Sequence, residues 1–475
     1  MKNILNKIII LIVLILSTVI YSLPGDFVKD IKIKELVFEI PKVLKEEIQP
    51  GVMYYGDPKG EFPIIYMDIN FYSGIKDPML QVEIPALLAD SLKYGGSTKN
   101  PDEALVSKIE SLGGSFSIST SSDKFTIKIS FLSRDQVVVQ ELLEELFSSP
   151  AFTEKAFENS KKKLSESIKR RNERTESVGF RKIKEIVFRN YVKGIPYSLE
   201  KVSSITVSDI SGYYNEMFKE RKKSIVVSGK YNETELKEWI KRVIPSPTKI
   251  DIGYEIVTLD KLRSDFNSDS RKEIFIEKKV NQSMLLYTGI IPEHNHPDYY
   301  AIQLLNYLIG GGGFNSMMMQ KIREEKGLAY SAASYPVVDS TYGIIYFYTL
   351  TKNESLKEAQ DILKEILSQR TFQSITEKDL SDAKAAILNQ FVFLFTNKHT
   401  ILENQLDQDD DGLPENYLNT YHDKINSVSL DDIRRVGSEY FLQDKLKYLI
   451  VSSKENIEKL YGNKKIYQPE DSVKE

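Results

Sequence analysis

Cysteine is absent from all 475 residues, so thiolate metal sites, thiol nucleophiles and disulfide frameworks are excluded together. Histidine is nearly as scarce, with His294, His296, His399 and His422 the whole supply and none in the first half of the chain. An excess of charge of one sign is also missing. With 64 basic and 68 acidic residues the net charge is −4, which gives no bias toward polyanions and makes nucleic acid an unexpected partner. The lack of cysteine is compatible with an oxidising compartment. At about 150 residues per domain, the length points to two or three domains with ample core.

The N-terminus carries a targeting pattern. Lys2 and Lys7 precede an uninterrupted apolar run from Ile8 to Leu16, followed by the small polar residues Ser17, Thr18 and Ser22. This reads as a secretory leader over residues 1–24, cleaved between Ser22 and Gly25. The apolar stretch falls short of the roughly 20 residues a spanning helix needs; an uncleaved anchor is the alternative. Export to a periplasmic or extracellular space is the expectation. Loss of Lys2 and Lys7 leaves 62 basic against 68 acidic residues, or −6, which also disfavours a membrane-surface role.

A duplication sets the architecture. KVSSITVSDISGYYNEMF from Lys201 aligns without a gap on KINSVSLDDIRRVGSEYF from Lys424, with Asp209/Asp432, Ile210/Ile433, Glu216/Glu439 and Phe218/Phe441 among the identities. Within each copy a Ser or Thr before the helix is a good N-cap, and an apolar strand follows each copy, SIVVSG and KYLIVSS. ALLADSLKYGGS with EALVSKIESLGGSFSIS, and YAIQLLNYLIGGGG with SMMMQKIREEKGLAYSAAS, form a second matching pair: helix, glycine break, helix, strand. DKFTIKISFLS and TYGIIYFYTLT alternate with period two, which predicts sheets with one covered face. The chain therefore reads as α+β, in two homologous halves at 31–244 and 273–461. Each half is a mostly antiparallel sheet covered by helices, and together they form a clamshell. A polar, Pro-marked linker at 245–272 joins them.

The duplicated halves, the leader and two local motifs together resemble the pitrilysin/insulinase family of zinc metallopeptidases, in particular its processing-peptidase-like branch. The resemblance covers nearly the whole mature chain. That family carries an inverted zinc motif, H-x-x-E-H, in its first half. Two histidines four residues apart share a helix face and reach one metal, and the Glu between them activates the bound water. The matching segment here is IPALLADSLKYGGS, and alignment on Gly96-Ser97 puts Leu87 and Ser91 at the histidine positions and Asp90 at the glutamate. Leu87 has no donor atom and Ser91 is a poor ligand. Glu166 lies near the third-ligand position, but one carboxylate does not hold catalytic zinc. No metal site is expected in this chain, and Pro85 to Tyr94 reads as an amphipathic core helix with Leu87, Leu88 and Leu92 inward.

The second-half motif is intact. LIGGGGFNSMMMQKIREEKGLAYS resembles the family's glycine-rich loop and the Arg and Tyr that complete the peptidase site, and Arg323 and Tyr330 occupy those positions. A guanidinium fork and a phenol suit holding a peptide carbonyl or stabilising an oxyanion. Spacing alone favours reading them as an exposed helix-end Arg and a sheet Tyr, and the resemblance reverses that preference. Gly310, Gly311, Gly312 and Gly313 lack the Lys-Ser/Thr of a phosphate loop and read as a helix C-cap with exposed backbone that a substrate chain can approach. In the processing-peptidase branch a comparable loop belongs to the non-catalytic subunit.

Two other segments imitate metal sites. DQDDDG places Asp407, Asp409, Asp411 and Gly412 like the opening of a calcium loop, but position twelve is Leu418 and Pro414 interrupts it. His294 and His296 alternate in a Pro-bounded loop and read as solvated, as does the basic helix face KKKLSESIKRR. Three classes remain. The resemblance implies a non-catalytic subunit of an exported heterodimeric zinc endopeptidase, which binds peptide and supplies Arg323 and Tyr330 to a homologous partner bearing the intact motif and the zinc. The others are a peptide-binding or structural protein of the same fold without a catalytic role, and a calcium-dependent or unrelated module.

Overall fold

Two six-stranded sheets repeat one strand order. The computed structural model describes residues 40–76, 81–249 and 253–473. The first sheet contains β1 (Leu44–Gln49), β2 (Val52–Asp57), β3 (Ile64–Tyr72), β4 (Ser115–Thr120), β5 (Lys124–Leu132) and β6 (Lys223–Gly229), ordered β1-β2-β6-β3-β5-β4. The second contains β7 (Glu273–Glu277), β8 (Gln282–Ile291), β9 (Ala329–Val338), β10 (Gly343–Lys352), β11 (Lys447–Ser452) and β12 (Ile466–Tyr467), ordered β12-β7-β11-β8-β10-β9. Without the outermost strands the two orders are the same. β6 runs parallel to β2, β11 runs parallel to β7, and the other inner pairs are antiparallel. The expected two-halved α+β architecture is present. The leader and residues 31–39 lie outside the described residues.

The duplication extends to the caps. Thr206 with Asp209, and Ser429 with Asp432, each form a capping box in which side chain and backbone bond reciprocally. A lysine begins each equivalent strand, Lys223 on β6 and Lys447 on β11, and both are fully buried. Lys223 Nζ donates to the Arg221 carbonyl at 2.8 Å, and Lys447 Nζ donates to the Asp269 and Arg271 carbonyls at 2.5 and 2.6 Å. Burial pushes each ammonium down to about 8.

In the first half, β5 turns Phe125, Ile127, Ile129 and Phe131 into the core, while Lys124, Thr126, Lys128 and Ser130 face the other way. The helix α1 (Ile84–Gly95) packs on β4 and on α2 (Glu154–Arg170), burying Leu87, Leu88 and Leu92 as its periodicity requires. Beyond α2, α3 (Thr175–Val187) leaves its own half and lies on the second sheet. Gly179 permits this approach, since a Cβ there would stand 2.4 Å from Met284 Sδ on β8.

The second sheet is apolar on both faces, contrary to the single covered face predicted from its alternation. Helices of its own half cover one face. The other packs Ile274, Leu286, Ile344 and Val451 against Val178, Ile183 and Ile186 of α3. Within the segment read as a linker, α4 (Leu259–Ser268) adds Leu262 and Phe266 to that core. The second half also contains α5 (Tyr299–Asn306), which leads into the glycine-rich loop, and α6 (Lys398–Asp410), which crosses back over β2 and β6 of the first sheet. Each half thus covers the free sheet face of the other with one helix. The α3 contact is aliphatic, whereas α6 brings only Leu402 and Leu406 to Tyr55 and Val226 and makes the rest of its contact with charge.

Candidate functional site

At the helix where the family motif would sit, the side chains do not fit a zinc ion. Leu87 is fully buried, and its carbonyl accepts a hydrogen bond from Ser160 Oγ at 3.2 Å. Ser91 is fully buried with its hydroxyl unpartnered. Asp90 is tied to Lys163 Nζ at 2.8 Å, and Glu166 is exposed on α2. One neutralised carboxylate and one weak hydroxyl do not make the three-ligand set that catalytic zinc needs.

The second-half motif brings its residues together. Arg323 lies on the helical turn Met319–Glu325 and Tyr330 on β9, on either side of Gly327. Arg323 Nη1 donates to the Tyr330 carbonyl at 3.1 Å. The guanidinium lies 4.8 Å from the Tyr330 ring centroid and 5.1 Å from that of Phe314, so it is held between two aromatic rings. Both rings are offered to solvent, Tyr330 at 79% and Phe314 at 64% relative exposure. Phe314 was not singled out in the sequence; an aromatic directly after four glycines was the available signal.

The glycines are arranged differently from an open, flexible loop. Gly310 is buried against β9, where a Cβ would stand 2.5 Å from the Ser334 amide nitrogen. Gly311 likewise leaves room for the Asn306 side chain, which a Cβ would approach to 2.5 Å. Gly312 is partly buried and Gly313 is exposed. Internal packing therefore fixes the first two glycines, and Gly310 offers no backbone to a substrate.

The acidic segment read against a calcium loop spans the C-terminal part of α6 and the turn after it, and Asp409 and Asp410 reach residues of the first sheet. Asp409 accepts from Lys45 Nζ at 3.0 Å and from Tyr55 Oη at 2.8 Å. Asp410 pairs with Lys124 at 2.6 Å and accepts from the Tyr72 hydroxyl. Burial, then Asp410, raises the pKa of Tyr72 far above the ordinary tyrosine value. Further along, Lys128 Nζ stands 2.7 Å from Asp68 and 2.5 Å from Glu403. His399 Nε2 lies 3.3 Å from Asp68, and Nδ1 lies 3.1 Å from Ser228 Oγ. Asp68, His399 and Glu403 have metal-ligand spacing, but the Lys128 ammonium already serves as the cation among them. Burial raises the Asp68 pKa, and hydrogen bonds from His399 and Lys128 outweigh burial and hold it below the carboxylate range.

The loop histidines are packed more closely than the sequence indicated. His294 Nδ1 is 2.8 Å from the Asp411 carboxylate and its ring meets Tyr299 edge-on, while His296 Nδ1 accepts from the Asp298 amide at 3.1 Å.

Comparison with known proteins agrees with this geometry. Residues 86–198 match the model for Insulinase (Peptidase family M16), and residues 204–387 match that for the Peptidase M16 inactive domain. A Helicobacter pylori protein described as a non-peptidase homolog, YmxG, is 22% identical over 72% of this chain and 78% of its own length. A Bacillus subtilis protein described as an uncharacterized zinc protease, also YmxG, is 21% identical over 76% of this chain and 86% of its own. The crystal structure of a peptidase M16 inactive domain from Pseudomonas fluorescens superposes with a TM-score of 0.72 at 17% identity, covering 87% of this chain and 98% of that one. With the two family models matching residues 86–198 and 204–387 in order and the zinc-ligand positions occupied by Leu87 and Ser91, this chain belongs to the insulinase family, peptidase family M16, as an inactive member.

Proposed function

We propose that this chain is the non-catalytic subunit of an exported heterodimeric zinc endopeptidase, binding peptide substrate and lending Arg323 and Tyr330 to a zinc site on a homologous partner. The observation that carries this reading is an asymmetry within one chain. Its metal helix has no ligand set, while the Arg–Tyr pair is assembled, held in place and exposed. A structural remnant would need no ordered guanidinium between two solvent-facing rings.

This chain's share of the chemistry is positioning. Arg323 engages one of its five donors with the Tyr330 carbonyl and keeps others for a substrate carbonyl, and the exposed phenol adds a second donor. The partner's metal would polarise the bond to be cleaved. Tyr330 stands at the start of β9, the outermost strand of its sheet, whose free edge can pair with an extended peptide. The Helicobacter relative's description as a non-peptidase homolog supports a chain with no peptidase chemistry of its own. Export rests on the leader, and a native N-terminus near residues 23–26 by mass spectrometry would support it.

Purification of the native complex tests the reading. A co-eluting M16 chain with an intact H-x-x-E-H, one zinc per heterodimer and chelator-sensitive peptide cleavage are expected. Recovery of this chain alone, still binding peptides, would favour the peptide-binding or structural reading instead.

A further inference from the structure

Two lysines mark the same helix in the two halves. Lys161 Nζ on α2 donates to the carbonyls of Ser203 and Ile205 at 3.0 and 3.2 Å. Lys384 Nζ on the helix Glu377–Phe391 donates to those of Asn426 and Val428 at 2.8 and 2.6 Å. The shift in position is the same for all three residues and equals that of the Lys201/Lys424 repeat, so Glu377–Phe391 is the duplicate of α2. The helix α5 and the turn after it likewise repeat α1. Gln303, Asn306 and Tyr307 have the spacing of Leu87, Asp90 and Ser91, and Gly311-Gly312 follows them as Gly95-Gly96 follows those.

In the first half this helix pair closes over Leu87 and Ser91. In the second half the same pair, with the helix Tyr417–Ser427, encloses a cavity of about 440 Å³, within the roughly 300–1,000 Å³ of ligand sites. Five aromatic rings line it, those of Tyr299, Tyr307, Phe391, Tyr417 and Tyr421. Phe391 and Tyr421 stack nearly parallel at 4.7 Å, and Gly312 leaves room for the Tyr307 ring, which a Cβ would approach to 3.1 Å. No Lys, Arg, Asp or Glu lines the cavity, and His294 in its wall is already 2.8 Å from Asp411. An ionic guest would thus lose its hydration without a free counter-charge, whereas a flat neutral ring gains contacts with the aromatic wall. Gln303 is engaged, donating to Tyr299 Oη at 2.5 Å and accepting from Tyr421 Oη at 2.9 Å. The Tyr307 phenol and the Gln390 amide, also in the wall, make no hydrogen bond with any described residue and are open to a guest.

We propose that this second-half cavity is a binding site for one neutral planar aromatic group with a hydrogen-bonding edge, such as an indole, held by the tyrosine-lined wall with Tyr307 and Gln390 as its polar contacts. A free small molecule and an aromatic side chain share this chemistry. The inference goes beyond the proposed function and needs neither a catalytic partner nor the Arg–Tyr pair.

Isothermal titration calorimetry of the full chain with indole, N-methylindole and cyclohexanol tests it. One indole per chain is expected, with a Kd of roughly 0.1–1 mM for so small a ligand, and cyclohexanol should bind at least about tenfold more weakly. The double variant Tyr307→Phe, Gln390→Leu should weaken indole by about tenfold and leave N-methylindole, which has no N–H to donate, unchanged. Its melting temperature should equal the parent's, because neither group has a partner to lose. Leu394→Trp, at the half-exposed rim, should fill the cavity and abolish binding of both indoles. A capped peptide with a central Trp identifies a side chain as the guest if it binds more tightly than indole, and a free small molecule if it binds more weakly. Absence of indole binding, cyclohexanol binding as tight as indole, equal losses for the two indoles in the double variant, or binding that survives Leu394→Trp would each overturn the proposal.

Discussion

Ser160 on α2 donates its hydroxyl to the carbonyl of Leu87, 3.2 Å away, on the helix where the family's motif places its first zinc-binding imidazole. The segment that positions a metal in active relatives is here a sealed core contact between two helices. Leu87 and Ser91 both have zero solvent exposure, so the two histidine positions are closed to solvent.

Ser91 itself is poorly matched to that core. Its hydroxyl is buried without a partner, a state that typically costs about 1–3 kcal/mol relative to a satisfied or absent group. Ser91→Ala is therefore expected to leave stability unchanged or raise it by about 1 kcal/mol in urea unfolding. A loss of 2 kcal/mol or more would mean that the hydroxyl has a partner of importance.

The contact between α6 and the first sheet depends on Asp410. Asp410→Ala leaves the largely buried Lys124 ammonium with only the more distant Asp407 and takes the acceptor from the buried Tyr72 hydroxyl, and is expected to destabilise the chain by about 2–4 kcal/mol. Asp407, mostly exposed and 3.5 Å from Lys124, serves as the control, and Asp407→Asn should stay within about 0.5 kcal/mol. Equal effects of the two substitutions in chemical denaturation would refute the assignment of the seam to Asp410.

Lys223 gives the fold a pH signature. Its folded pKa of about 8 lies below the unfolded lysine value, so between the two the unfolded chain binds more protons and stability rises with pH. The penalty is fully present below about pH 8 and fades toward roughly pH 10.4. Lys223→Met should be more stable than the parent by about 1–3 kcal/mol at pH 7, and the difference should shrink by pH 10. An advantage that does not change with pH would assign the effect to packing instead of charge.

What the sequence revealed and what it hid follow from the range of the interactions. The repeat, the N-caps of its two helices and the buried face of α1 are local patterns, and each is present as read. The pairing of Arg323 with Tyr330 spans seven residues and was also visible as a motif. The role of the acidic run was not, because Asp409 and Asp410 find Lys45, Tyr55, Tyr72 and Lys124 more than 280 positions away. Seen locally, those aspartates have no cationic partner; Asp409 finds only the Gln405 amide one turn back. The second covered face of the second sheet was hidden for the same reason, since α3 belongs to the other half. A lysine at the start of an apolar strand reads as surface, and nothing near Lys223 in sequence announces that it is fully buried on the core face it shares with Ile225 and Val227.

The central claim is that Arg323 and Tyr330 act on chemistry carried by another chain, and the turnover of the reconstituted heterodimer tests it most directly. Removing one preorganised donor to an oxyanion typically lowers the rate by roughly a hundred- to a thousandfold. Tyr330→Phe and Arg323→Ala should each cut peptide cleavage by about that factor, with zinc content, assembly and melting temperature unchanged, because Tyr330 is exposed and its pairing with Arg323 lies at the surface. Cleavage at the parental rate by both variants would contradict the account.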